Sequence, residues 1–276
     1  MTAPRRARPS SAQPLFETTR GDAPLVISMP HSGTYLPPEL AARIDPAAHD
    51  LPDTDWFVPR LYEFHAALGA SVIRATHSRY VVDLNRPPDG ASLYPGKRET
   101  GVCPVETFDG DALYARGDEP TREEIRQRLH RYWQPYHDEL RELLGAQVAR
   151  HGHCLLWDAH SIHSTVPALF EGRLPDLNVG TADGRSCELA TTRRITDVLG
   201  AQQRFSFVVD GRFKGGYITR HYGEPAAGIE AVQLEIAQPA YLVEARTPRF
   251  DETLAAPLTA LLRTLLARLV EEPRRS

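Results

Sequence analysis

The stretch CLLWDAHS, residues 154–161, sets four apolar side chains in a row ahead of Asp158 and His160. A run this short and this apolar reads as a strand buried on both faces, as parallel sheets require. A second run, PLVISM at 24–29, has the same character and ends at Pro30-His31-Ser32-Gly33. Further strands are expected at 71–75, 80–84, 205–209 and 229–236, where β-branched and apolar residues cluster. Helices are expected between them: from the Asp53-Thr54-Asp55 cap toward Gly69, over about 186–199, and over about 251–271 with its repeated leucines. Another begins at Thr121-Arg122-Glu123-Glu124, a capping-box pattern, with a kink near Pro135. Buried strands alternating with helices predict a single α/β domain with a mixed, mostly parallel central sheet flanked by helices. Residues 1–20 are expected to form a flexible tail ahead of one catalytic domain spanning 21–276. The segment 87–120, rich in Gly, Pro and Asp, has few periodic signals and reads as a functional loop.

Composition narrows the function. The chain has 276 residues, 41% of them apolar, and a formal net charge of −4. No basic patch suggests a nucleic-acid partner. No run approaches the roughly 20 apolar residues that span a bilayer, so no membrane partner is expected. Cys103, Cys154 and Cys187 form neither a CxxC pair nor a disulfide framework, and the first residues lack a signal-like apolar core. A cytoplasmic location is expected.

In open α/β sheets, ligands bind outside the carboxyl ends of the strands. His31, His160 and Glu235 each stand at or near such an end, and Asp53 and Asp55 follow the His31 loop. Two histidines and one carboxylate are a common catalytic zinc set. The metal activates water and polarises a carbonyl, but a separate base must still take the proton. The reading is therefore His31, Asp55 and His160 as zinc ligands, Asp53 as the competing ligand, and Glu235 as general base. Any one of these residues alone reads better as a cap or a buried hydrogen-bonding group; the joint pattern carries the assignment. Asp158 is expected to be structural or supporting, because the chain should turn before His160.

PHSG at 30–33, DTD at 53–55, SRYVVDLNR at 78–86, DAHS at 158–161, GRFKGGY at 211–217 and QLEI at 233–236 together resemble the N-formylglutamate amidohydrolase family. The likeness runs from about residue 24 to 240. It implies a zinc-exopeptidase-like (phosphorylase/hydrolase-like) fold and hydrolysis of N-formyl-L-glutamate to formate and L-glutamate, a step in histidine breakdown. In the related carboxypeptidases an Asn-Arg pair holds the substrate carboxylate, which implies that role for Asn85 and Arg86. The His-x-x-Glu pair of those relatives is absent, since Thr34 takes the Glu place.

Substrate contacts are expected from arginine, whose planar fork matches a carboxylate. Arg79, Asn85 and Arg86 flank one apolar run, with Asp83 orienting an arginine. Arg212, Lys214 and Arg220 flank Gly215-Gly216, where Gly216 would let backbone approach a ligand. Two carboxylate-binding groups would suit a small acidic N-formyl amino acid. Lys97 and Arg98 could close over it, and His137 and His163 are lesser candidates to line the pocket. The alternatives are a related zinc amidase or carboxypeptidase acting on another N-acyl amino acid or short peptide, and a non-catalytic small-acid binding protein on the same fold. Glu235 argues against the last, since a binding module has no use for a base beside the metal.

Overall fold

A computed structural model describes residues 13–271. Seven strands form one sheet: β1 (Phe16–Thr19), β2 (Leu25–Met29), β3 (Ser71–Ala75), β4 (Cys154–Ile162), β5 (Leu177–Gly180), β6 (Phe207–Val209) and β7 (Ile229–Ala237). Their spatial order is β1-β3-β2-β4-β7-β5-β6. The core strands β3, β2, β4 and β7 are parallel, while β1 and β5 pair antiparallel with their neighbours β3 and β7. The expected mixed, mostly parallel sheet is what the chain forms. A two-stranded ribbon, β8 (Leu242–Val243) with β9 (Arg249–Phe250), lies outside it.

Seven α-helices are described: α1 (Pro38–Ala41), α2 (Val58–Leu61), α3 (Arg122–Arg128), α4 (Gln134–His151), α5 (Leu189–Gly200), α6 (Tyr217–Tyr222) and α7 (Glu252–Glu271). They cover both faces of the sheet. Alternate residues of a strand point to opposite faces, and β4 sorts its side chains accordingly. Leu155 and Trp157 pack with Leu61 of α2, Ile195 and Leu199 of α5, and Leu258, Leu262 and Leu265 of α7. Cys154 and Leu156 pack instead with Tyr136, Leu140, Leu143 and Leu144 of α4 and with Ile218 of α6. Each fully buried leucine of this kind contributes roughly 1.5–3 kcal/mol.

Helix α7 is long and apolar enough to cross a membrane by length and composition alone. That departs from the sequence expectation, yet Leu258, Leu262, Leu265 and Leu266 are spent on the core. The amphipathic stripe of a core helix passes the same hydropathy test.

Several local expectations change. The helix after Asp55 is broken: Phe57 sits in the left-handed region at φ 61°, α2 lasts one turn, and a 3-10 segment over Glu63–Leu68 completes the connection. Thr121 caps α3 as its motif predicts, its hydroxyl accepting from Glu124 N at 3.2 Å. The break before Pro135 is a π-turn over Leu129–Trp133. Proline has no N–H for the carbonyl one turn back, and the wider turn absorbs the missing bond. The run 80–84 is not a strand. Its backbone is buried in turns, with Val81 N bonded to Ser78 O and Asp83 N to Val102 O. The expected tail lies outside the described residues as far as residue 12, and from Phe16 the chain is the edge strand β1.

Candidate active site

On the sheet face covered by α4 and α6, three adjacent parallel strands change character together toward their carboxyl ends. Val26 gives way to Ser28 on β2, Leu156 to Asp158 and His160 on β4, and Ala231 to Gln233 and Glu235 on β7. The apolar members lie under the helices; Ser28 and Asp158 are fully buried, and His160, Gln233 and Glu235 line a cavity of about 650 Å³, a volume that includes solvent open to it. His160 and Glu235 are paired in register across β4 and β7. The strand does not turn at Asp158, as the sequence had suggested, but runs on to Ile162. Asp158 and His160 therefore share a face.

His31 arrives from the end of β2, and its carbonyl accepts Asp55 N at 3.0 Å, which ties the Asp53–Asp55 loop to the rim. The His31 and His160 ring centroids are 4.9 Å apart. Asp55 Oδ2 lies 2.9 Å from His160 Nδ1 and 3.8 Å from His31 Nδ1. One donor atom from each of His31, Asp55 and His160 falls within 4.8 Å of the others, and all three residues are buried. This group could hold a metal ion. Asp53 is turned elsewhere, accepting from Tyr80 Oη at 2.9 Å and Phe108 N at 3.0 Å. Burial raises its pKa to about 6.

The remote nitrogens of both imidazoles face further carboxylates. His31 Nε2 is 2.7 Å from Asp83 Oδ1, and His160 Nε2 is 3.0 Å from Asp158 Oδ2. Carboxylates in that position fix the tautomer and the ring orientation of metal-binding histidines. Burial lowers the His31 pKa, helped by the Arg79 charge and opposed by Asp83, so the ring favours its neutral, ligating form. Burial works against charge on His160 too, but Asp158 and Asp55 outweigh it and raise the pKa well above the ordinary value. That corner of the site stabilises a cation, proton or metal alike.

The donor set fits a divalent ion. Asp55, Asp83, Asp158 and Glu235 are buried together, with the guanidinium of Arg79 buried beside Asp83 and that of Arg86 acting on the same carboxylate. Buried carboxylates in such excess need a compensating cation. Two imidazole nitrogens and a carboxylate oxygen with an open remaining position suit catalytic zinc and several other divalent metals. Asp158→Asn should weaken metal affinity about 10- to 100-fold by removing the negative charge beside His160 Nε2. Competition titration with a chromogenic chelator checks this, and unchanged affinity would deny Asp158 that part.

The other predicted residues divide. Arg79 is buried, bonded to Asp83 Oδ2 at 2.6 Å and lying over the Phe108 ring. Asn85 sits with its Nδ2 3.0 Å from Asp158 Oδ2 and 2.9 Å from His160 Nε2, while its Oδ1 accepts from Ile218 N. Arg86 lines the cavity and pairs with Glu99. Gly216 also lines it, and a Cβ there would meet the Asn85 amide at about 2.5 Å, so the glycine makes room for that side chain. Arg212 and Arg98 line the cavity, whereas Lys214 and Arg220 do not. Lys214 pairs with Asp183 at 2.7 Å, and Arg220 donates to Gly215 O beside the Tyr94 ring. His137 is bonded to Leu84 O at 2.8 Å within an aromatic stack, and His163 pairs with Glu244; neither lines the cavity. Residues unforeseen in the sequence reading include Tyr94, Glu99 and Phe108 from the long loop, which does fold over the cavity.

A family model for N-formylglutamate amidohydrolase matches residues 23–242. The chain belongs to the N-formylglutamate amidohydrolase family. It is 46% identical over 251 residues to an N-formylglutamate deformylase of Pseudomonas putida, covering 91% of this chain and 94% of that one. Identity with an N-formylglutamate deformylase of Pseudomonas aeruginosa is 49%, with the same coverage. Among solved structures, the N-formylglutamate amidohydrolase from Ralstonia eutropha JMP134 superposes with a TM-score of 0.77 at 26% identity, over 92% of this chain and 98% of that one. A gene product of Agrobacterium tumefaciens shares the fold with a TM-score of 0.71 at 15% identity, over 92% of this chain and 94% of that one. All the motifs on which the family resemblance was read fall within the matched span, including the residues of the buried His-Asp-His group.

Proposed function

We infer that the chain is a hydrolase that cleaves the formyl amide of N-formyl-L-glutamate to give formate and L-glutamate, with zinc as its metal. The observation that carries this is the buried His31–Asp55–His160 group with Glu235 in register beside it, in a chain of this family. His31, Asp55 and His160 would hold the ion. When bound, a divalent metal polarises the formyl carbonyl and acidifies water at the site.

The chain's own groups supply the rest. Glu235 faces the cavity with Gln233 Nε2 donating to its Oε2 at 3.3 Å, which leaves Oε1 without a partner from Gln233. Burial raises the pKa of this carboxyl, opposed by the charges of His160 and Arg79. A carboxylate so placed is a stronger base than a solvated one. It takes the proton of the attacking water and returns it to the leaving nitrogen, so a single group serves both halves of the reaction. Arg79 stays out of the exchange as the counter-charge for Asp83. Arg86 and Arg212 present cations to the acidic substrate from the cavity wall. The three cysteines are buried and none forms a disulfide among the described residues, in keeping with a reducing cytoplasmic setting.

Purified protein should release formate from N-formyl-L-glutamate. Dialysis against a chelator should abolish release, and zinc should restore it. Full activity in metal-stripped protein would contradict the proposed cofactor. Cleavage of longer acyl or peptide substrates without formate release would favour an amidase or peptidase.

A further inference from the structure

The arginines around the cavity are not equivalent. Arg79 is matched by Asp83, Arg86 by Glu99 and Arg98 by Glu106. Glu99 is itself pinned by Ser92 Oγ and by the backbone N–H groups of Leu93 and Tyr94, so its pairing with Arg86 is part of the loop's own structure. Arg212 lines the same cavity, and its charge is answered differently: among the described residues its one hydrogen bond runs from Nε to Leu169 O, at 3.0 Å. Its guanidinium carbon lies 5.5 Å from the Tyr94 ring and 5.2 Å from the Phe213 ring.

This arrangement has a direction. With Nε tied to Leu169 O and two rings beside the guanidinium, the Nη1 and Nη2 edge remains to grip a carboxylate bidentately. Tyr94 is fixed in turn: its hydroxyl donates to Gly215 O and accepts from Lys214 N, each at 3.0 Å. Beside Arg212 the cavity wall is apolar, formed by Phe213, Leu169, Ile162 and Phe108. Such a wall suits the methylenes that separate two acidic groups.

We propose that Arg212 is the specificity-determining residue of the site, receiving the side-chain carboxylate of the dicarboxylic substrate. The assignment rests on the reading of the chain as an N-formyl amino acid hydrolase. Tyr94 and the Leu169 carbonyl are positioning groups that hold the guanidinium in its plane.

Formate release from N-formyl-L-glutamate and from N-formyl-L-glutamine, its uncharged near-isostere, tests it. The wild type should prefer the acid by a factor on the order of 100 in kcat/KM, since a half-buried cation left unmatched in the pocket penalises the amide. Arg212→Gln should lose about that factor on the acid, chiefly through KM, while activity on the amide changes less than about threefold. Arg212→Lys, which keeps the charge but not the fork, should retain part of the preference. Metal content and thermal unfolding of each variant establish that the site is intact. Equal losses on both substrates, or a preference that survives Arg212→Gln, would overturn the assignment. A wild type that releases formate from neither compound would instead overturn the functional reading beneath it, and this assignment with it.

Discussion

Glu235→Gln is expected to lower kcat for formate release by about 10³-fold while the protein still binds about one metal ion per chain. The substitution preserves size and one acceptor oxygen, so the β7 register with His160 and the contact from Gln233 survive. What it removes is the ability to take a proton from water and hand it to the departing nitrogen. Because that exchange belongs to the chemical step, KM should move little. Single-turnover kinetics on metal-loaded protein, with metal content measured on the same sample, gives the answer. Loss of the metal in this variant would make Glu235 a ligand. Near-normal turnover would place the base elsewhere.

The position of Glu235 also explains why the effect should be so large. It interrupts an apolar alternation on β7, where Val232, Leu234 and Ile236 face the helices of the opposite layer. A carboxylate in such a strand costs free energy through burial. Its raised pKa records that cost, and the same burial gives it basicity in the cavity. Gln233, two residues earlier on the same face, is bonded both to Glu235 and to Gly216 N, which links the base to the glycine-rich segment near Arg212.

The sheet was largely legible from sequence because its central strands are buried on both faces and so read as unbroken apolar runs. β5, with the sequence LNVG, and β1, with FETT, were not, because a four-residue strand and an exposed edge strand carry no such run. SRYVVDLNR failed in the opposite sense. Its apolar residues are buried, but its backbone bonds into turns, and hydrophobicity alone cannot tell those fates apart.

For the site, types and order of residues sufficed to gather His31, Asp55, His160 and Glu235, since parallel neighbours deliver their carboxyl ends to one rim. The choice between Asp53 and Asp55 was closed to sequence because it depends on which carboxylate Tyr80 and Phe108 N capture. Asp83 was read as an arginine's partner, and it does pair with Arg79, but its other oxygen meets His31. Asp158 was a nearer miss: its spacing of two from His160 held the signal, and only the length of β4 was misjudged. Tyr94 and Glu99 act through the fold of a loop without periodicity, so nothing in the sequence pointed to them.

The second large effect concerns the metal itself. His160→Ala and Asp55→Ala should each lower kcat/KM by roughly 10⁴-fold or more, because an ion held by the remaining donors is both weakly bound and misplaced. Asp53→Asn should keep the ion, since an amide oxygen still accepts from Tyr80 and Phe108 N, with its loop less stable by about 1–3 kcal/mol. The competing arrangement, with Asp53 as ligand, predicts the reverse for the two aspartates. Metal-to-protein ratio, determined by plasma mass spectrometry on wild type and on these three variants purified alike, therefore decides the account. It predicts about one ion per chain for the wild type and Asp53→Asn, and almost none for His160→Ala and Asp55→Ala. An ion retained by both of the latter variants, or absent from the wild type after zinc loading, would contradict it.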